Sequence, residues 1–173
     1  MSTIFIILVA ALLVWIAYIY NRFIVAKNTV MAAWSDIDVQ LKRRHDLIPK
    51  LVGAVKQYAS YESATISAVT SLRTESRKLQ EVSKRGEIEI ELGKLIHQLV
   101  AIAEDYPDLK ASQSFLDLQY NLSEVEQNIQ YARRYYNGAV RNLNIRIESF
   151  PDLLIARFFR FNQAQYFDFD ETI

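Results

Sequence analysis

FLDLQYNLSEVEQNIQYARRYYNGAVRNLNIRIESF, residues 115–150, decides the fold of this chain. Its apolar side chains fall at Phe115, Leu118, Leu122, Val125, Ile129, Ala132, Tyr136, Val140, Leu143, Ile147 and Phe150, each step three or four residues. That spacing lines one face of a single helix of about forty residues. A helix with one apolar stripe must bury it against other helices, and two further stripes are available. Val30, Trp34, Ile37, Leu41, Ile48, Val52, Val55, Ala59, Ile66 and Val69 form the second. Ile88, Leu92, Leu95, Leu99, Ile102 and Tyr106 form a shorter third, which follows Gly86, read here as a helix terminator. With only four Gly and three Pro in 173 residues, the expected fold is all-α: an N-terminal single transmembrane helix continuing into an elongated antiparallel helical bundle of three to four helices.

The membrane expectation comes from the start of the chain. Ser2 to Tyr20 are nineteen uncharged residues, and at about 1.5 Å per residue they reach roughly 28 Å, close to one hydrocarbon core. A cleaved signal peptide is the competing reading, but no basic residue precedes the run and no small-residue cleavage site is clear. The run closes on Trp15, Tyr18 and Tyr20, the aromatic residues that favour a bilayer interface. Arg22, Lys27, Lys42, Arg43 and Arg44 all follow the span, so the positive-inside rule predicts an N-terminus outside and the remainder cytoplasmic, single-pass in a cell (inner) membrane. The expected division is an anchor over 1–21, a helical bundle over 22–150, and a short amphipathic helix with an acidic-aromatic tail over 151–173. No linker separates the span from the second stripe, so anchor and bundle read as one rod.

Proline sharpens the plan. Tyr106-Pro107-Asp108-Leu109 and Phe150-Pro151-Asp152-Leu153 each put Pro and an acid where the first turn of a helix favours them. Pro49 instead lies inside a continuing helical pattern, where it should kink the helix and free a carbonyl near His45. An unbroken first helix to about Leu79 would need the long helix from Asp108 to return alongside it toward the membrane; a break near Ser60 would allow other orders.

Lys plus Arg and Asp plus Glu number twenty each, so no basic field draws the chain to nucleic acid. With no cysteine there is no disulfide, thiolate metal site or cysteine nucleophile. His45 and His97 are isolated from any metal-spaced pattern and are expected on a helix surface or partly buried. No nucleophile elbow or phosphate-binding glycine loop occurs. Glu87, Glu89 and Glu91 alternate along a helix, cannot converge, and read as a solvated face. No enzyme, cofactor or metal is expected.

Two polar segments remain. In Lys42-Arg43-Arg44-His45-Asp46, helical spacing from Leu41 and Ile48 puts Arg44 or His45 at the buried face, where ion pairs with Glu62, Glu104, Glu124 or Glu126 are the plain reading. The sharper one makes Arg43, Arg44, Asp46 and Lys50 an anion or partner-docking site beside the Pro49 kink. Near the C-terminus, Arg157, Phe158, Phe159, Arg160 and Phe161 form an aromatic-basic run before the acidic Asp168, Asp170 and Glu171. It either caps the bundle or lies in a membrane interface with its arginines at headgroups.

Trp34-Ser-Asp-Ile-Asp-Val-Gln-Leu-Lys-Arg-Arg44, Asp46-Leu-Ile-Pro-Lys-Leu-Val52, Ala103-Glu-Asp-Tyr-Pro-Asp-Leu-Lys-Ala111 and Ala132-Arg-Arg-Tyr-Tyr-Asn137 together resemble the LemA family, with Lys50 where the family usually has Asn and Arg160 where it often has Gly between two Phe. The resemblance implies a bacterial membrane helix with a helical bundle behind it and no established biochemical activity, one branch being associated with forming magnetosome membranes. The expected function is a membrane-anchored, non-enzymatic scaffold or adaptor working through helix faces, self-associating as a homo-oligomer and docking an unidentified cytoplasmic protein. The alternative is a membrane-remodelling protein that uses the aromatic-basic segment on the lipid bilayer.

Overall fold

The computed structural model describes residues 1–59 and 61–167, and every regular element among them is an α-helix. In chain order these are α1 (Ser2–Tyr58), α2 (Ser63–Lys78), α3 (Val82–Glu104), α4 (Pro107–Lys110), α5 (Gln113–Glu148) and α6 (Asp152–Phe158). Ser60 and the acidic end of the tail, residues 168–173, lie outside the described residues.

α1 is about 85 Å long by its residue count and unites two kinds of surface. Among the described residues α1 is the one helix long and apolar enough to cross a membrane by length and composition, and side chains of its first part such as Ile4, Phe5, Leu8 and Leu13 stay exposed. From Ile19 and Phe23 onward the same helix turns its stripe inward. Phe23 meets Arg146, Trp34 meets Tyr136 and Arg43 meets Glu124, so partner numbers on α5 fall as those on α1 rise.

The buried residues form two apolar clusters. One joins Phe23, Ala33, Ile37 and Leu41 of α1 to Val125, Tyr136 and Val140 of α5 and to Phe167. The other joins Ile48, Leu51 and Val55 of α1 to Val69, Leu92, Leu99, Leu109 and Phe115. Arg44 and His45 sit in sequence between the two sets, and both are buried.

Two expectations are corrected and one open alternative is decided. The first helix does not run on to Leu79; as a break near Ser60 would allow, it ends at Tyr58, and α2 starts at Ser63 and packs on α3. No Gly or Pro marks that turn, so burial of Val69 against α3 and α1 ends the helix where local chemistry would not. Gly86 terminates nothing; it is buried inside α3. The long helix starts at Gln113 instead of Asp108. Pro107 opens a separate single turn that buries Leu109, and the extended backbone of Ser112 divides it from α5.

The C-terminal segment is pinned by amides. Asn144 donates from Nδ2 to the Ala164 carbonyl (3.0 Å) and accepts the Ala164 N–H on Oδ1 (2.9 Å). One heptad earlier, Asn137 repeats the pair with Phe167 at 3.0 and 2.9 Å. The Tyr136 hydroxyl donates to the Gln165 carbonyl at 2.8 Å. These side chains satisfy backbone groups of a segment that has no helical partners of its own.

Candidate functional site

The most concentrated chemistry in the molecule lies between the two apolar clusters. Glu89 of α3 is 2 % exposed. Its Oε1 accepts from His45 Nε2 at 2.7 Å and from the Ser76 hydroxyl, and its Oε2 pairs with Arg44 Nη2. Arg44 also donates to the Glu89 carbonyl oxygen (2.8 Å) and to Glu126 Oε2 of α5 (2.9 Å). One guanidinium thus ties α1 to α3 and α5, while Ser76 adds α2. Burial by itself pushes the Glu89 carboxyl up. The His45 hydrogen bond, the charges of Arg44 and His45 and the Ser76 hydrogen bond outweigh it and bring Glu89 down to about 2.

Two local features border this layer. Pro49 has no N–H for the His45 carbonyl, and Arg73 Nε of α2 fills the gap at 2.7 Å. The freed carbonyl expected from sequence is therefore real and is used as an acceptor between helices. Gly93 faces the guanidinium: a Cβ there would stand 3.4 Å from Arg44 Nη1, in ordinary van der Waals contact with it.

The reading of Glu87, Glu89 and Glu91 as a solvated face is corrected. Glu87 and Glu91 are exposed, but a two-residue step turns a helix by about 200°, and Glu89 points the opposite way, into the core. His45 is likewise fully inside at 3 % exposure, and of the acids foreseen as partners only Glu126 bonds Arg44. Arg43 meets Glu124 at 2.8 Å on the surface, and Asp46 and Lys50 face solvent. Arg44 is thus separated from Arg43, Asp46 and Lys50, its charge already shared between two carboxylates. A cavity of about 260 Å³ opens beside it, lined by Arg44, His97, Gln119, Ser123 and Glu126 among others.

The second region is the collar where α6 meets α1. Tyr20 packs on Phe159 and Phe161 at centroid distances of 4.8 and 5.7 Å, and Phe23 stacks on Phe161 at 4.7 Å. Ile155 and Ala156 are buried, whereas Leu154 and Phe158, one turn apart, are 56 % and 79 % exposed, beside exposed Phe150 and Arg157. Arg160 is exposed with φ 57°, the left-handed region that favours Gly. Trp15 and Tyr18 lie exposed on α1, Tyr18 beneath the Arg22 guanidinium at 5.7 Å. Sequence reasoning missed the Asn137 and Asn144 clamps and Ser76, because lone polar residues on a helix carry no periodic signal.

Among the described residues no three His, Asp or Glu side chains gather as a metal site would require.

The sequence model of the LemA family matches residues 33–173. Two magnetosome proteins of Paramagnetospirillum magneticum, MamQ 1 and MamQ 2, are each 26 % identical over 86 % of this chain and 64 % of their own length. The protein LemA of Metamycoplasma hominis is 29 % identical over 75 % of this chain and 60 % of its own. The chain therefore spans less than two thirds of the relatives it resembles.

Proposed function

The chain belongs to the LemA family, and we propose from that premise that it is a membrane-anchored, non-enzymatic scaffold. One observation carries the reading: α1 is a single helix whose apolar beginning is exposed and whose continuation is a wall of the core. A body built on its own anchor is held at a set height and attitude, as a docking platform requires. The falling partner numbers between α1 and α5 support an antiparallel bundle of three to four helices, with 1–21 as the anchor, 22–150 as the bundle and 151–173 as a membrane-proximal appendage. The charge bias after the span supports an inner-membrane protein with its N-terminus outside and its body in the cytoplasm. Leu116, Tyr120, Tyr131 and Tyr135 stay exposed along α5 and supply a face for self-association or a cytoplasmic protein partner. Arg43, Asp46 and Lys50 stand on the solvent side of α1 as further contact points.

A second reading, membrane organisation through the aromatic-basic segment, is favoured by the exposed Leu154 and Phe158 beside the exit of the anchor. Relatives named magnetosome proteins also favour it.

Photoreactive residues at positions 43, 50, 131 and 160 of the full chain, crosslinked in cells, test the scaffold. Specific adducts at 43, 50 or 131 are the expected result. A chain that yields only intramolecular products and stays monomeric in nanodiscs is not a scaffold. Lipid adducts confined to 160 would shift the function to the second reading.

A further inference from the structure

Just past the anchor's last aromatic residues, α1 and α5 border an open groove of about 410 Å³. Val25, Ala26 and Ala139 give it apolar walls, while Arg22, Asn142 and Arg146 bring polar groups to it. Its charge is unbalanced. Among the described residues Arg22 has no carboxylate partner and rests over the Tyr18 ring. Arg146 reaches Asp152 at 3.8 Å through Nε, but its Nη1 is buried without a hydrogen-bond partner. Two guanidiniums and one carboxylate leave one net positive charge, the complement of a single phosphodiester.

Depth agrees with charge. Arg22 is two residues beyond Tyr20, about 3 Å along the helix, and the headgroup layer extends roughly 5–8 Å beyond the hydrocarbon. The Arg146 guanidinium lies 6.0 Å over the Phe23 ring, which brings it to the same level. Val25 remains 65 % exposed on the groove wall, an apolar side chain at a height where a soluble bundle would present a polar one.

We propose that this groove binds one anionic phospholipid of the leaflet from which the anchor emerges. Its phosphodiester lies between Arg22 and Arg146, and the headgroup carbons beyond it, on the side away from the bilayer, lie against Val25 and Ala26. The inference rests on the reading that α1 spans a bilayer. A lipid so held bridges α1 and α5 where the anchor becomes the body.

The test uses the full chain in mild detergent, with phosphatidylglycerol, phosphatidylcholine or soluble glycerol phosphate added and bound molecules counted by native mass spectrometry. One phosphatidylglycerol should survive activation that strips phosphatidylcholine, and glycerol phosphate should neither bind nor compete. Arg22→Gln should weaken retention roughly tenfold or more, the size of one charge-assisted hydrogen bond, and Arg22→Lys should recover part of it. Val25→Trp fills the groove from an exposed position and should act like Arg22→Gln, with helicity and carbonate-resistant membrane insertion unchanged in both. Equal retention of the two lipids, or variants that hold phosphatidylglycerol as wild type does, overturns the proposal. So does tight binding of glycerol phosphate, which makes the site one for a free anion, or a dimer that Val25→Trp dissociates without loss of lipid. Wild-type protein extracted by carbonate overturns the spanning reading and this inference with it.

Discussion

A buried carboxylate stays ionised only if its neighbours replace the water it has lost. Glu89 receives a guanidinium, an imidazole and a hydroxyl, which hold its carboxyl at about 2 against 4.5 ordinarily. The folded chain therefore keeps Glu89 charged at pH values where the unfolded chain protonates it. The stability this confers is complete above about pH 4.5 and drains away as pH falls toward 2, a change on the order of 3 kcal/mol. Thermal unfolding followed by circular dichroism between pH 2 and 7 should show that acid limb, and Glu89→Gln should lose it. At neutral pH, Glu89→Ala strands much of the Arg44 charge and should cost about 3–5 kcal/mol, whereas Arg44→Met with Glu89→Leu removes both charges and should cost less. An equal cost for the two would mean that packing, not charge, dominates the layer. Part of this was legible in sequence. The place of Arg44 between Leu41 and Ile48 demanded a buried partner, and Glu126 was foreseen. Glu89 was not, although its alternation with Glu87 and Glu91 required that one of the three face away from the other two.

At the scale of elements, two devices join helices through backbone groups. The first is the Pro49 carbonyl gap filled by Arg73. Arg73→Ala should leave the His45 oxygen unsatisfied and cost about 1–3 kcal/mol. Adding Pro49→Ala restores an N–H four residues on, so the double variant should be more stable than Arg73→Ala alone. Non-additivity of that sign in thermal unfolding is the check, and simple additivity would show that the guanidinium does not serve the carbonyl. The second device is the pair of asparagine clamps. Asn137→Ala and Asn144→Ala should free the segment over 161–167, read as faster amide hydrogen exchange at Ala164 and Phe167 with α5 itself still protected. Arg160, between the clamped segment and α6, holds a left-handed φ of 57°. Arg160→Gly should relieve a backbone cost of about 1 kcal/mol, so the residue the family often carries there suits the turn better. The periodic parts of the elements were legible, because α1, α3 and α5 each carry a stripe. Their ends were less so: a break near Ser60 stood only as an alternative, because the turn after Tyr58 has no Gly or Pro and depends on α2 packing back onto α3.

For the molecule as a whole, the long apolar stripes announced a helical body but not how its helices pair, since any two stripes can face each other. The pairing emerges from specific contacts, and it brings α6 beside Tyr20, where the uncharged run of α1 ends. Phe158 then projects 79 % exposed one residue from Phe159, which touches Tyr20, so it must meet either lipid headgroups or water. The absence of cysteine makes this measurable, because a single introduced thiol is the only one in the chain. In membranes holding the full chain, Phe158→Cys should react with a water-soluble maleimide roughly tenfold more slowly than Glu75→Cys, whose position is exposed on α2, because an interfacial thiol is poorly hydrated and its thiolate disfavoured. Solubilisation in detergent with short exposed chains should narrow that gap, while a thiol shielded by protein would keep it. Ser2→Cys labels from outside intact cells if the N-terminus is external, and Glu75→Cys should then label only after the cytoplasmic face is opened. Rapid labelling at 158 in intact membranes would put α6 in water and reduce it to a cap on the bundle. Slow labelling confined to the bilayer gives the body a second membrane contact beside its anchor, which fixes the tilt of the rod as well as its height.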